Sequence, residues 1–194
     1  KDKKSVLPAR RMAQAREAAP KVQLAVNTAV PSLHSTKGYL CDYELIVTST
    51  NVVLAGDKTF YLSGPFNIAG TNNRLESCVI KFSPTNGAKL NITGSLICDT
   101  AQFRPAHLTA RDDHDTGEAI GSATLTGYYA TNALAFANGG SDLRNVRISH
   151  AYTRISYDNA SGDEHTNMHV QFVNCLRGIS GGNSQTVRLR NVLM

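Results

Sequence analysis

From residue 38 onward, apolar residues come in short runs of β-branched and aromatic types, and Gly, Asn, Asp, Ser and Pro separate them. The runs fall at 43–47, 52–54, 60–62, 66–68, 79–82, 90–92 and 96–98. Each is too short for a helix, and the breakers between them are turn formers, so the pattern predicts many short strands. The first thirty residues differ. Ala9-Arg10-Arg11-Met12-Ala13-Gln14-Ala15-Arg16-Glu17-Ala18-Ala19 is rich in strong helix formers, with Pro8 suited to a first turn and Pro20 ending the run. A second piece, 22–30, is helical or extended.

A solenoid, a sandwich and a barrel all fit such strands, and internal repeats decide among them. Phe66-Asn67-Ile68-Ala69-Gly70 matches Leu90-Asn91-Ile92-Thr93-Gly94 at a step of 24. Val146-Arg147-Ile148 aligns with Val170-Gln171-Phe172 at the same step, and Ala151, Ile155 and Ser156 then fall on Cys175, Ile179 and Ser180. A step of 17 carries Val170 to Val187, Phe172 to Leu189, Asn174 to Asn191 and Cys175 to Val192. Recurrence of this kind belongs to a parallel β-helix. Each coil contributes short strands that stack on the next coil at about 4.8 Å, and inward residues form ladders. A sandwich would show hairpins and alternating faces without residue-for-residue recurrence. Asn174 and Asn191, one step apart at a turn, are expected to form a structural asparagine ladder.

The expected fold is therefore all-β, a right-handed parallel β-helix over 38–194. The basic arm 1–37 would carry a short helical segment able to cap one end. A β-helix exposes strand edges at its ends. The chain stops at Val192-Leu193-Met194 within a strand-like run and without a polar cap. The expectation is a truncated solenoid, or one whose open edge is covered by a partner coil in a homo-oligomer or filament.

Composition changes the picture little. The chain is 41% hydrophobic and 18% charged. It holds no apolar run of the roughly 18 residues that a membrane helix needs. No secretory leader is visible at Lys1-Asp2-Lys3-Lys4. Lys1, Lys3, Lys4, Arg10, Arg11, Arg16 and Lys21, against Asp2 and Glu17, account for the whole net charge of +5. A basic terminal arm beside a near-neutral body argues against a nucleic-acid readout surface. Cys41, Cys78, Cys98 and Cys175 form no C-x-x-C pair, which argues against zinc or dithiol chemistry. Three of them sit in apolar runs and are expected to act as small buried hydrophobes. A Cys78–Cys98 bridge between coils is the other option.

The most acidic stretch carries Asp112, Asp113, Asp115 and Glu118 around His114. Clustered carboxylates are the ligands calcium takes, and a carboxylate pair can also act as acid and base on a sugar. The alternative is a turn in which these side chains bond backbone amides or pair with Arg104 and Arg111. The segment from Asp112 to about Ala133 is too long for a turn and is expected to leave the solenoid as an excursion. A second polar cluster, Asp163-Glu164-His165-Thr166-Asn167-Met168-His169, has H-x-x-x-H spacing. That spacing aligns two imidazoles only on a helix, and a strand follows, so an exposed turn is expected. Tyr128 and Tyr129, with Tyr152 and Tyr157, are candidate platforms for a glycan, though partial burial with a surface hydroxyl is the common state of tyrosine. Asn91-Ile92-Thr93 and Asn159-Ala160-Ser161 fit the glycosylation sequon, which acts only in a eukaryotic secretory setting.

These repeats, with phrases such as Asn51-Val52-Val53-Leu54-Ala55-Gly56-Asp57, resemble right-handed β-helix proteins of the pectin-lyase-like superfamily over about 38–194. The stretch Arg111-Asp112-Asp113-His114-Asp115-Thr116-Gly117-Glu118, followed by Gly127-Tyr128-Tyr129, is similar to a segment of large exported bacterial β-helix proteins of unassigned function. The resemblance implies polysaccharide lyases or hydrolases, yet the catalytic motifs do not carry over. Of the polygalacturonase-like set (Asn-Thr-Asp, Asp-Asp, Gly-His-Gly, Arg-Ile-Lys), only Asp112-Asp113 matches in type; Ile148-Ser149-His150 is not Gly-His-Gly, and there is no Arg-Ile-Lys. One fold hosts many functions. The expected role is a structural, adhesive or self-assembling segment of a secreted or cell-surface bacterial protein. The alternative is a lyase or hydrolase acting on acidic glycans with calcium.

Overall fold

The computed structural model describes residues 43–45, 48–157, 163–182 and 185–194. All lie in the unit Tyr39–Met194, and the helix expected over 9–19 lies outside them. Among the described residues every regular element is a strand. The first coil holds β1 (Tyr43–Leu45), β2 (Thr48–Thr50) and β3 (Val53–Leu54). Next come β4 (Thr59–Leu62), β5 (Pro65–Ala69) and β6 (Asn73–Glu76), then β7 (Val79–Phe82), β8 (Lys89–Ile92) and β9 (Leu96–Asp99). β10 (Ala106–Ala110), β11 (Ala130–Phe136), β12 (Ser141–Ser149), β13 (Ala151–Tyr157), β14 (Glu164–Val173), β15 (Arg177–Gly181) and β16 (Thr186–Arg190) complete the chain.

All pairings between the described strands are parallel, which makes the domain a parallel β-solenoid with three faces. The first face runs β1, β4, β7, β10 and then the second halves of β12 and β14. The second runs β2, β5, β8, β11, β13, β15. The third runs β3, β6, β9, the first halves of β12 and β14, and β16. β12 and β14 bend from the third face to the first at Asn145 and His169, whose φ angles are 48° and 56°. Asparagine tolerates that region because its short polar side chain bonds locally, and histidine is enriched there as well.

Inward side chains stack coil on coil. Phe60, Ile80, Leu108, Ile148 and Phe172 form one buried ladder on the first face. Phe66, Leu90, Leu134 and Ile155 form another on the second, continued by Ile179. Burying one such side chain is worth about 1.5–3 kcal/mol, and the repetition of these rungs holds the coils together. Asn73, fully buried, works as an internal brace. Its amide donates to the carbonyls of Gly70 and Ser95, and its oxygen accepts from the Val52 amide, so one side chain ties three coils.

The two steps of 24 are the observed registers. Phe66 pairs with Leu90 and Val146 with Val170. The step of 17 is not. Val187 pairs with His165 and Leu189 with Asn167, a step of 22. A 17-residue step would lay β16 on the first-face half of β14 and skip the third face, which the chain must cross before returning. The Asn174–Asn191 ladder fails for the same reason. Asn174 shares its corner with His150, whereas Asn191 sits over His169, its Nδ2 lying 2.6 Å from the His169 Nδ1. The Cys78, Cys98 and Cys175 thiols are free, and Cys98 stacks on Leu75 rather than meeting Cys78. Burial pushes the Cys78 thiol up to about 12 and that of Cys98 to about 11, which suits inert packing groups.

Candidate functional site

Between β10 and β11 the chain runs through 111–129 without a strand and folds back over the outer side of the first face. The excursion is shorter than the sequence suggests, because Ala130–Ala133 already belong to β11. Lys81 shows what the segment covers. It occupies an outward register between Tyr61 and Thr109, yet it is fully buried, and its Nζ donates to the Asp113 carbonyl at 2.6 Å. Thr59 and Thr109, outward as well, are buried beneath the same segment. Two glycines permit this close seating. A Cβ on Gly117, whose φ is +66°, would lie 2.8 Å from both Thr59 Oγ1 and Val79 Cγ1. One on Gly121 would lie 1.7 Å from an Asp112 carboxylate oxygen.

The four candidate carboxylates divide into two kinds. Asp112 is buried at the base of the loop. Its Oδ1 accepts from the Ser122 amide at 2.7 Å and from Arg111, and its Oδ2 accepts from the Tyr129 hydroxyl at 2.7 Å. Burial opposes the charge, but the bonds from Tyr129, Ser122 and Arg111 outweigh it and hold the carboxyl at about 2. Asp113 is buried too. It accepts from the Thr109 hydroxyl at 2.5 Å and from the Asp115 amide at 3.0 Å, an Asx-type turn. Asp115 and Glu118 are exposed. The quartet therefore does not converge, and among the described residues no group of three or more His, Cys, Asp or Glu side chains is placed to hold a metal ion. The two buried carboxylates act instead as the clasp of the loop: they have protein donors, and a buried charge is stable only with such partners.

The tyrosines separate in the same way. Tyr129 is buried, and its hydroxyl bonds Asp112 and the Thr126 amide, so it anchors the loop while also lining the groove beside Tyr128. Tyr157 is fully interior. Tyr128 and Tyr152 are 42% and 39% exposed, with ring centroids 6.3 Å apart at 81°. They border a groove of about 270 Å³ with Pro84, Gly87 and Thr131. The Arg177 guanidinium sits 5.1 Å from the Tyr152 ring centre, a cation–π arrangement. Sequence reasoning left Pro84 and Arg177 out of this group. Only the stacking of coils brings residues so far apart in sequence to one corner.

The histidine cluster is the other correction. His165 and His169 both lie in β14. His165 points inward and is 0% exposed, while His169 turns the corner. The expected exposed turn is a strand, because Ser141 and Val187 stack below and above His165 in the parallel ladder.

No protein-family model, curated protein or solved structure matches this chain. The site must be read from its own geometry.

Proposed function

We propose that this chain is a structural and adhesive β-helix segment of an exported bacterial protein that extends end to end through the edge formed by β15 and β16, without catalysis of its own. The observation that carries this reading is the state of that coil. Leu189, in inward register over Asn167, is 48% exposed, whereas Asn167 and Leu143 in the same register are buried by the coil above them. Ile179, inward over Ile155 on the second face, is likewise only partly buried. Among the described residues no further strand pairs with β15 or with the outer edge of β16, and such an edge can receive another parallel strand. A second copy supplies a coil of suitable geometry, and a head-to-tail contact that does not close propagates as a filament. The right-handed winding and the pectin-lyase-like kinship rest on the repeat pattern and on the strong preference of parallel crossovers for that hand. The secreted location and bacterial source rest on the resemblance of the segment 111–129.

Adhesion draws on the Tyr128–Tyr152 groove, where two partly exposed rings meet edge to face and the Arg177 guanidinium stacks on Tyr152. A lyase or hydrolase on acidic glycans draws less support, since Asp112 and Asp113 are engaged by the protein itself. The deciding experiment is sedimentation velocity with electron microscopy across a concentration series, on the wild type and on Leu189→Lys with Ile179→Lys. End-to-end association that the double substitution abolishes supports the proposal. Dispersed monomers at the highest concentration overturn it.

A further inference from the structure

The interior of the solenoid is apolar along most of its length, but one layer near the last coil is not. Tyr157, His165 and Asn167 are each 0% exposed. The Tyr157 and His165 rings stack at 3.9 Å with 19° between their planes, and Phe136 stacks with the tyrosine at 5.3 Å. The Tyr157 hydroxyl donates to Asn167 Oδ1 at 2.9 Å, and Ser141 Oγ lies 3.0 Å from His165 Nδ1. His165 Nε2 has no protein hydrogen-bond partner, and neither does Asn167 Nδ2. Buried polar atoms of this kind are uncommon and call for a physical account.

We propose that this layer is an acid-sensitive latch that holds β16 and the last coil onto β14. A neutral imidazole fits the layer, because it stacks flat on Tyr157 and needs only one bond to Ser141. An imidazolium does not. Its second N–H would point into the same enclosed space without an acceptor, and its charge would lie in a low-dielectric interior. One carboxylate acts on the ring, Asp163 just before β14, and burial outweighs it. Glu164 points outward to Arg188, and Asp142 on β12 is paired with Arg144 at the surface. β13 offers Tyr157 and the half-buried Arg154, a cation whose guanidinium lies 4.7 Å from the centre of the inward Phe172 ring, and β16 offers Val187 with the cationic Arg188 and Arg190. Burial is the larger influence and holds the His165 pKa below its ordinary value, although Asp163, just before β14, favours the charged ring.

Proton uptake therefore requires the ring to reach water. The cheapest route is to lift β16, which is mostly exposed and stacks Val187 directly over His165. The sign follows from linkage. Above the ordinary histidine pKa of about 6.5 both the closed and opened forms are neutral, and the latch holds. Below it the opened form binds a proton that the closed form does not, so closure weakens until pH reaches the lowered pKa. Opening should rise by up to about tenfold for each pH unit in that window.

The test is amide hydrogen exchange on the dilute chain between pH 7.5 and 5, corrected for intrinsic rates. Dilution keeps the chain monomeric, so the outcome is independent of end-to-end assembly. Protection in β16 is expected to fall toward acid pH while the rungs among β4, β7 and β10 hold. His165→Phe should keep the stack and remove the pH dependence, and His165→Gln serves if the phenylalanine variant fails to fold. A direct NMR titration of the imidazole should place His165 below the ordinary range. Titration at or above that range, or the same acid loss in a folded His165 variant, overturns the latch.

Discussion

Replacing Asp112 by asparagine tests whether the acidic loop is a clasp. The carboxylate is buried and takes bonds from Tyr129, Ser122 and Arg111 at 2.7–3.2 Å. Its pKa is depressed from 3.8 to about 2. At about 1.36 kcal/mol per unit, this corresponds to about 2 kcal/mol of folding free energy. The folded-state pKa lies below the unfolded one. The contribution is therefore complete above about pH 4 and is lost as pH falls toward 2. The substituted amide keeps the shape, removes the charge and turns one acceptor into a donor facing Tyr129 or Arg111. Asp112→Asn is expected to lower stability by about 2 kcal/mol at pH 7, and the gap to the wild type should narrow toward pH 2.5. Urea titration at both pH values measures the gap, and limited proteolysis should show earlier cleavage within 111–129. A loss below about 0.5 kcal/mol at pH 7, the range of ordinary surface substitutions, would refute the clasp. So would a gap that does not change with pH.

Gly94→Ala should destabilise by about 1–3 kcal/mol, because backbone must move to admit the methyl group. The new Cβ would sit 1.9 Å from the Gly70 carbonyl oxygen one coil below, and a thermal melt reads the loss. Ile148→Ala, in the middle of the first-face ladder, should cost about 2–5 kcal/mol in chemical denaturation. In a Cys41→Ser, Cys175→Ser background, Cys78 and Cys98 should resist an aromatic disulfide reagent at pH 7.5, since burial raises both thiols to about 12 and about 11. Full reaction should appear only in denaturant, and fast labelling of the native chain would show that these coils open readily.

The fold is legible where apolar alternation is strong. The runs at 52–54, 60–62, 66–68, 79–82, 90–92 and 96–98 all fall on strands, and the step of 24 is a true register. The strand β6, Asn73–Glu76, gives no such signal because three of its four residues are polar. Its inward Asn73 is kept buried by three backbone bonds, two of them to the coils on either side, and no local pattern reveals them. The step of 17 misleads for a related reason. Val-x-Leu-x-Asn in the last coil imitates Val-x-Phe-x-Asn in β14, but similarity of pattern does not say on which face a strand lies.

The acidic segment and β14 pose the same difficulty in sharper form. Four acidic residues within seven positions suggest a cation, and their chemistry alone cannot distinguish a ligand set from a clasp. The distinction lies in what faces them. Gly117 and Gly121 let the segment settle onto the sheet, and settling brings Ser122, Tyr129 and Thr109 to the two carboxylates nearest its base. His165 is the converse case. Polar neighbours in sequence suggest an exposed turn, yet alternate residues of β14 face the core, and Thr166 and Met168 do not share the environment of His165 and Asn167. In a solenoid the partner of every residue lies one coil away. The chemistry of a polar group on these strands is thus set by the residue stacked above it and the residue stacked below it, as Ser141 and Val187 set that of His165.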